Sequence, residues 1–338
     1  MLVVLVNAVK VESVPLNFNF FSMRWTTGKW RNGPSIAFDL GFGCLQSATR
    51  LRGVAPPARC VPILRRVIDV DINTITEVVK RPSARPGSDW RDGDAWLAGG
   101  TWLFSDQQPD LRRLIDLVPL GWNGLTTSEA GLEIGAMCTV RDLYAFAAPA
   151  DWRAAPLFTT SCEAFLASFK VWNAATVGGN ICMSLPAGPM ITMTVALEAT
   201  YTLQATDGSE RTVDAAEFVT GDHENVLAPG ELLRKIDIPA DALRKQHANR
   251  RFTLTHLGRS TIFMIATQGG GGDFALTITA GTTRPIRLSF DSVPDADALQ
   301  DSIDAIPHDV WFDDPNGTPD HRKHLATHFA EELREELA

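Results

Sequence analysis

The sequence predicts an α+β protein of more than one domain. Three observations predict it. Helix-like and strand-like segments alternate between about residue 95 and residue 239. Four strand-like segments then follow one another, and two helical segments come after them. The length of 338 residues suffices for two or three domains.

Taken in order, Asn73 to Lys80 reads as a short helix, capped by Asn73 or Thr74 and ended by Pro82. Ala95-Trp96-Leu97-Ala98 reads as a short strand that runs into a glycine turn. Leu111 to Leu117 is short and apolar. Leu132-Glu133-Ile134-Gly135-Ala136 alternates as a strand does. Val140 to Ala148 reads as a helix capped by Thr139, and Ala164 to Val171 as another helix ahead of a second glycine turn. Met190 to Ala199 and Tyr201-Thr202-Leu203 continue the α/β alternation, and Leu232 to Ile238 reads as a strand stopped by Pro239. From about Asn249 to Ala338 the pattern is that of a small α+β domain. Its strands read as Phe252 to Leu257, Thr261 to Thr267, Phe274 to Ala280 and Ile286 to Phe290. Gly269-Gly270-Gly271-Gly272-Asp273 reads as a hairpin loop, and Asp295 to Ile306 and His321 to Leu337 as helices.

Composition excludes several classes. The chain is 45% hydrophobic and 21% charged, as globular proteins are, and its formal net charge is −9. That balance argues against nonspecific nucleic-acid binding. No apolar run approaches the ~20 residues of a membrane helix. The five cysteines, Cys44, Cys60, Cys138, Cys162 and Cys182, contain no CxxC pair. Their spacing supports neither an iron–sulfur cluster nor a structural zinc site, and it fits reduced thiols in the cytoplasm. Residues 1–66 stand apart: they carry nine basic and two acidic side chains, scattered aromatics and no sustained period. A regular pattern begins at Val67-Ile68-Asp69-Val70-Asp71. One expectation is that the natural protein starts near Val67 or Val70; the other is a genuine arm that wraps a partner.

The most informative feature is a pair of glycine turns, Ala98-Gly99-Gly100-Thr101-Trp102 and Thr176-Val177-Gly178-Gly179-Asn180-Ile181. Glycine lets the backbone approach a ligand closely, and free amides in such turns bind phosphate oxygens. One Gly-Gly turn is more often a plain loop. Two, each followed by a hydrogen-bonding side chain, Thr101 or Asn180, suit the two ends of one phosphate-rich ligand. Neither turn is the dinucleotide fingerprint GxGxxG, and neither is a P-loop.

These two segments resemble the FAD-binding segments of the molybdenum hydroxylase flavoproteins, the medium subunits of the xanthine dehydrogenase and carbon monoxide dehydrogenase family. The second segment of the match begins at Asn173-Ala174-Ala175. Ile134 to Thr139, Glu231 to Pro239 and Ala280-Gly281-Thr282-Thr283-Arg284-Pro285 extend the resemblance, which covers about Asp71 to Ala338. It implies a two-subdomain FAD-binding fold of the vanillyl-alcohol-oxidase (PCMH) type over residues 67–243, and a small α+β C-terminal domain over 249–338. Carried over by motif, Leu97, Ala98, Gly99, Gly100, Thr101 and Trp102, with Thr176, Val177, Gly178, Gly179 and Asn180, would enclose the pyrophosphate and neighbouring groups. Leu233 would sit near the isoalloxazine. Three positions depart from the family pattern: Trp102 replaces an acidic residue, Pro189 an aspartate and Thr253 a lysine. The first turn lacks the histidine that tethers flavin in related folds, so the FAD would be non-covalent.

Other polar groups have plainer readings. His321, His324 and His328 share one helix side and read as a solvated flank rather than a metal site. No Ser-His-Asp or Cys-His arrangement stands out, and no residue is assigned as a catalytic acid, base or nucleophile. The resemblance implies an electron-transfer role in which FAD receives electrons from two [2Fe–2S] clusters on a small subunit. Those electrons would come from a molybdopterin centre on a large subunit, in a dimer of heterotrimers. An external acceptor would then reoxidise the flavin. A stand-alone FAD-dependent oxidoreductase and a flavin-free scaffold subunit are the alternatives.

Overall fold

The computed structural model describes residues 74–80 and 87–338. Residues 1–66, Asn73 and Pro82 lie outside the described residues, and with them the expected extension, cap and stop.

Three short strands open the described chain: β1 (Glu77–Val79), β2 (Asp94–Leu97) and β3 (Arg113–Asp116). They form a parallel sheet in the order β1-β3-β2. The expected helix over 73–80 is therefore wrong. Ile75, Thr76, Val78 and Val79 are β-branched, which favours the extended chain, and the Thr76 amide donates to the Arg112 carbonyl at 2.8 Å. A buried ion pair fixes the start of β2. Arg113 Nε donates to Asp94 Oδ1 at 2.8 Å, with both side chains almost fully enclosed.

The central part runs β4 (Leu125–Ser128), β5 (Gly131–Gly135), α1 (Val140–Tyr144), α2 (Pro156–Ala164), α3 (Phe169–Trp172), α4 (Val177–Cys182), α5 (Pro189–Ala196), β6 (Thr200–Gln204), β7 (Glu210–Asp214), α6 (Ala215–Phe218), β8 (Val219–Gly221), β9 (Glu224–Asn225), β10 (Leu232–Pro239) and α7 (Ala240–Arg244). An antiparallel sheet in the order β4-β5-β10-β6-β7 forms one face. Thr139 caps α1 as expected, its hydroxyl accepting from the Asp142 amide at 3.1 Å. The helix expected over 164–171 is instead two helices. Pro156 starts α2 eight residues earlier, and the chain leaves the helix at Phe165, whose φ and ψ are extended.

The last part is a four-stranded antiparallel sheet in sequential order, β11 (Gln246–Thr253), β12 (Ser260–Gln268), β13 (Phe274–Thr279) and β14 (Ile286–Phe290), with α8 (Ala296–Asp304) and α9 (Pro319–Leu337). The first strand lies earlier than the expected Phe252 to Leu257. It is a polar edge strand whose arginines are occupied: Arg250 pairs with Glu332 at 2.6 Å and Arg251 donates to Ser260 Oγ at 2.8 Å. The tetraglycine segment does close the β12–β13 hairpin, with the Gly269 amide on the Asp273 carbonyl.

Strand β12 explains how the parts join. Ile262, Met264 and Ala266 pack with α8 and α9 residues such as Leu299, Leu325 and Leu333. Phe263 and Ile265 point the other way, into the core built around α5, β6 and β10. Alternate side chains thus serve two cores, so a continuous apolar run is needed. Every residue of α5 is buried for the same reason. The Thr192 and Thr279 hydroxyls meet at 2.6 Å inside this contact, and the Ala280 amide donates to the Pro186 carbonyl at 2.8 Å.

Candidate functional site

The parallel strand β2 ends at Leu97 and delivers the first glycine segment at its carboxyl end, the usual ligand-facing end of a parallel sheet. Gly100 has φ +67°, a left-handed conformation that glycine adopts freely. Gly99 is required by a neighbour. A Cβ there would lie 1.9 Å from the Ala174 carbonyl oxygen, so the chain entering the second glycine segment is packed directly against the first. The two segments meet again where a Cβ on Gly179 would stand 4.0 Å from Ala98 Cβ.

Their amides are used differently. Among the described residues, the amides of Gly99, Gly100, Thr101 and Trp102 have no hydrogen-bond acceptor, and neither does the Thr101 hydroxyl. The expected second turn is instead the first turn of helix α4. Its amides are consumed by the fold: Val177 donates to the Cys138 carbonyl at 2.8 Å, Gly178 to Ala136 at 3.0 Å and Gly179 to the Thr176 hydroxyl at 2.9 Å. Thr176 is the N-cap that turns this segment into a helix. Gly178 is needed because a Cβ would meet the Ala136 carbonyl oxygen at 2.6 Å. Only the first segment therefore offers a cradle of unpaired amides.

Asn180 accepts from the Met190 amide at 3.1 Å through its side-chain oxygen. It thereby fastens the start of α5, where Pro189 occupies the first helical position and is buried. Leu233 is buried in β10 opposite Leu203, beside the Cys182 thiol. Thr253 ends β11 and donates its hydroxyl to the Thr255 carbonyl at 2.8 Å. The structure thus brings together the two glycine segments, Asn180 and Pro189. Thr253 is engaged with its own loop.

Trp102 is 40% exposed and its indole lies against the imidazole of His223, with ring centroids 5.5 Å apart. His223 sits in the β8–β9 turn, which is tied to the end of α4. Asn225 Nδ2 donates to the Cys182 carbonyl and to Ser184 Oγ, both at 3.0 Å. Sequence reasoning missed His223, Asn225 and Ser184. The Gly221-Asp222-His223 turn was the available signal, but the contact with Trp102 spans more than a hundred residues.

Among the described residues, the thiols offer no reactive group. Burial pushes Cys138, Cys162 and Cys182 up to about 12, so all three are protonated at neutral pH. Among the described residues no group of His, Cys, Asp or Glu converges as metal ligands. His321 packs edge-on against Phe252, and His328 lies 3.2 Å from Glu332. No described helix is long and apolar enough to cross a membrane.

Residues 87–241 match the sequence family described as the FAD binding domain in molybdopterin dehydrogenase. Xanthine dehydrogenase 1 of Arabidopsis thaliana is 23% identical over 232 residues, which cover 61% of this chain and 17% of that protein. The carbon monoxide dehydrogenase medium chain of Hydrogenophaga pseudoflava is 29% identical over 133 residues, 39% of this chain and 43% of that one. The chain therefore spans less than half of either relative in these matches. In three dimensions it is similar to a chain of the Hydrogenophaga pseudoflava carbon monoxide dehydrogenase structure, with a TM-score of 0.65 and 21% identity, over 78% of this chain and 97% of that one. The resemblance carried by the two glycine segments is thus supported by sequence over residues 87–241, which match this FAD-binding domain family, and by a fold shared with carbon monoxide dehydrogenase.

Proposed function

We propose that this chain is the FAD-carrying subunit of a molybdenum hydroxylase. It passes electrons from [2Fe–2S] clusters of a small partner subunit to an external acceptor, while a large partner subunit holds molybdopterin. The observation that carries the reading is the run of four unpaired amides at Gly99 to Trp102, held against the second glycine segment by a backbone contact.

The residues present fit the phosphate end of FAD. Amides without acceptors are strong donors to phosphate oxygens, and the Thr101 hydroxyl adds a fifth donor in the same run. A Cβ on Gly99 would push the two segments apart, which accounts for glycine there. The second segment supports the site: Thr176 builds α4, and Asn180 fastens α5 beside it while keeping its side-chain NH2 unpaired among the described residues. FAD, when bound, supplies one- and two-electron redox chemistry. The protein's part is to hold the cofactor and shield it.

Two experiments test the proposal. The purified chain is incubated with FAD and desalted; retained flavin absorbance near one equivalent is expected, and none retained refutes the cofactor assignment. Tagged protein is then recovered from its native cells. Co-purified molybdenum and iron are expected, whereas flavoprotein recovered without either metal refutes the partner assignment and favours the stand-alone oxidoreductase.

A further inference from the structure

We propose that Trp102 and His223 form a stacking site for a planar heterocycle of the dinucleotide, with the Trp102 indole as its face and His223 as the residue that positions it. This rests on the FAD reading above and extends it beyond the phosphates.

Three observations point to it. First, Trp102 is a large aromatic left 40% exposed, and its own amide belongs to the unpaired run. A phosphate held on that run would share the segment with the indole, leaving the exposed ring available to the rest of the ligand. Second, His223 adopts φ +61°, a conformation unfavourable for a residue with a Cβ. Such a conformation persists where its surroundings fix it. The His223 amide donates to the Ser184 carbonyl at 3.0 Å, and Ser184 is fully buried with φ +53°. The turn and its bond to Ser184 therefore fix the direction in which the imidazole projects, toward Trp102. Third, the contact joins the first glycine segment to the turn that Asn225 ties to the end of the second. The imidazole thereby holds the indole to that turn, with 45° between the ring planes.

Indole stacks on adenine and on isoalloxazine alike, so the two ring systems are separated by experiment. Full-length wild type, Trp102→Leu, Trp102→Phe and His223→Ala are titrated with FAD, following flavin emission, and separately with ADP. Trp102→Leu is expected to weaken FAD by roughly ten-fold or more, the loss of one aromatic stack, with Trp102→Phe restoring most of it. His223→Ala should fall between them. If the isoalloxazine is the stacked ring, bound flavin emits more strongly in Trp102→Leu and ADP affinity is unchanged. If adenine is stacked, emission is unchanged and ADP weakens by the same factor as FAD. Binding of FAD by both Trp102→Leu and Trp102→Phe within about two-fold of wild type overturns the stacking site and leaves the cofactor reading intact. Failure of the wild type to bind FAD overturns both.

Discussion

Replacing Gly99 by alanine tests how the two glycine segments are joined. The added Cβ would sit 1.9 Å from the Ala174 carbonyl oxygen and 2.6 Å from its carbon. An ordinary carbon–oxygen contact is about 3.3 Å, so the segments must separate by roughly 1.4 Å. Both partners are backbone, and no side chain can rotate away. Overpacking of this kind costs about 1–3 kcal/mol. For a chain of 338 residues that lowers Tm by roughly 1–4 °C. The same displacement carries unpaired amides out of the ~3 Å range of a hydrogen bond to phosphate. Each charge-assisted bond lost contributes about 1.5–3 kcal/mol, so FAD affinity should drop at least about ten-fold. Gly270→Ala is the control, because a Cβ there has nothing within 4 Å. The assay is thermal unfolding together with FAD titration. A Gly99→Ala protein that melts with the wild type and binds FAD equally well refutes the reasoning.

Further expectations follow from the same contacts. Thr176→Val removes the hydroxyl that accepts from the Gly179 amide; it should cost about 1 kcal/mol by chemical denaturation, and Thr176→Ser should recover most of it. Asn180→Ala leaves the Met190 amide without its acceptor; retained flavin should fall, whereas unchanged flavin content would remove Asn180 from the site. Burial pushes the Asp94 carboxyl up, but the Arg113 guanidinium and the Arg91 amide together hold it below the usual carboxylate range. Its stabilisation is therefore complete above the unfolded value of about 3.9 and is lost as pH falls through the lower folded value. Asp94→Asn should lower Tm at neutral pH and flatten the acid limb below about pH 4; an unaltered limb would show that the pair contributes nothing there.

Much of the fold was legible because periodicity reports burial. The strand Ile286–Phe290 read directly, β10 was read one residue short because Pro239 was taken as its stop, and α8 was recognised, its Asp295 cap accepting from the Ala298 amide at 2.8 Å. Strand β1 was misread because the cap signal at Asn73 or Thr74 and the stop at Pro82 outweighed its β-branched residues, which pair with β3 in extended form. Strand β11 was misplaced because its polar side chains are satisfied by α9 and Ser260, contacts between residues distant in the chain. At the site, both glycine segments were found from sequence, but their roles were read as alike. Which amides stay unpaired depends on Ala136 and Cys138, which accept from the second segment and not from the first. The Trp102–His223 contact depends on tertiary structure in the same way.

The central claim is that the amides of Gly99 to Trp102 hold the phosphates of FAD, and it is tested most directly by amide hydrogen exchange with and without FAD. Selective protection of residues 99–102, with little change at 177–179 where the amides are already bonded, is the result expected. Saturating FAD that leaves exchange at 99–102 unchanged would contradict it.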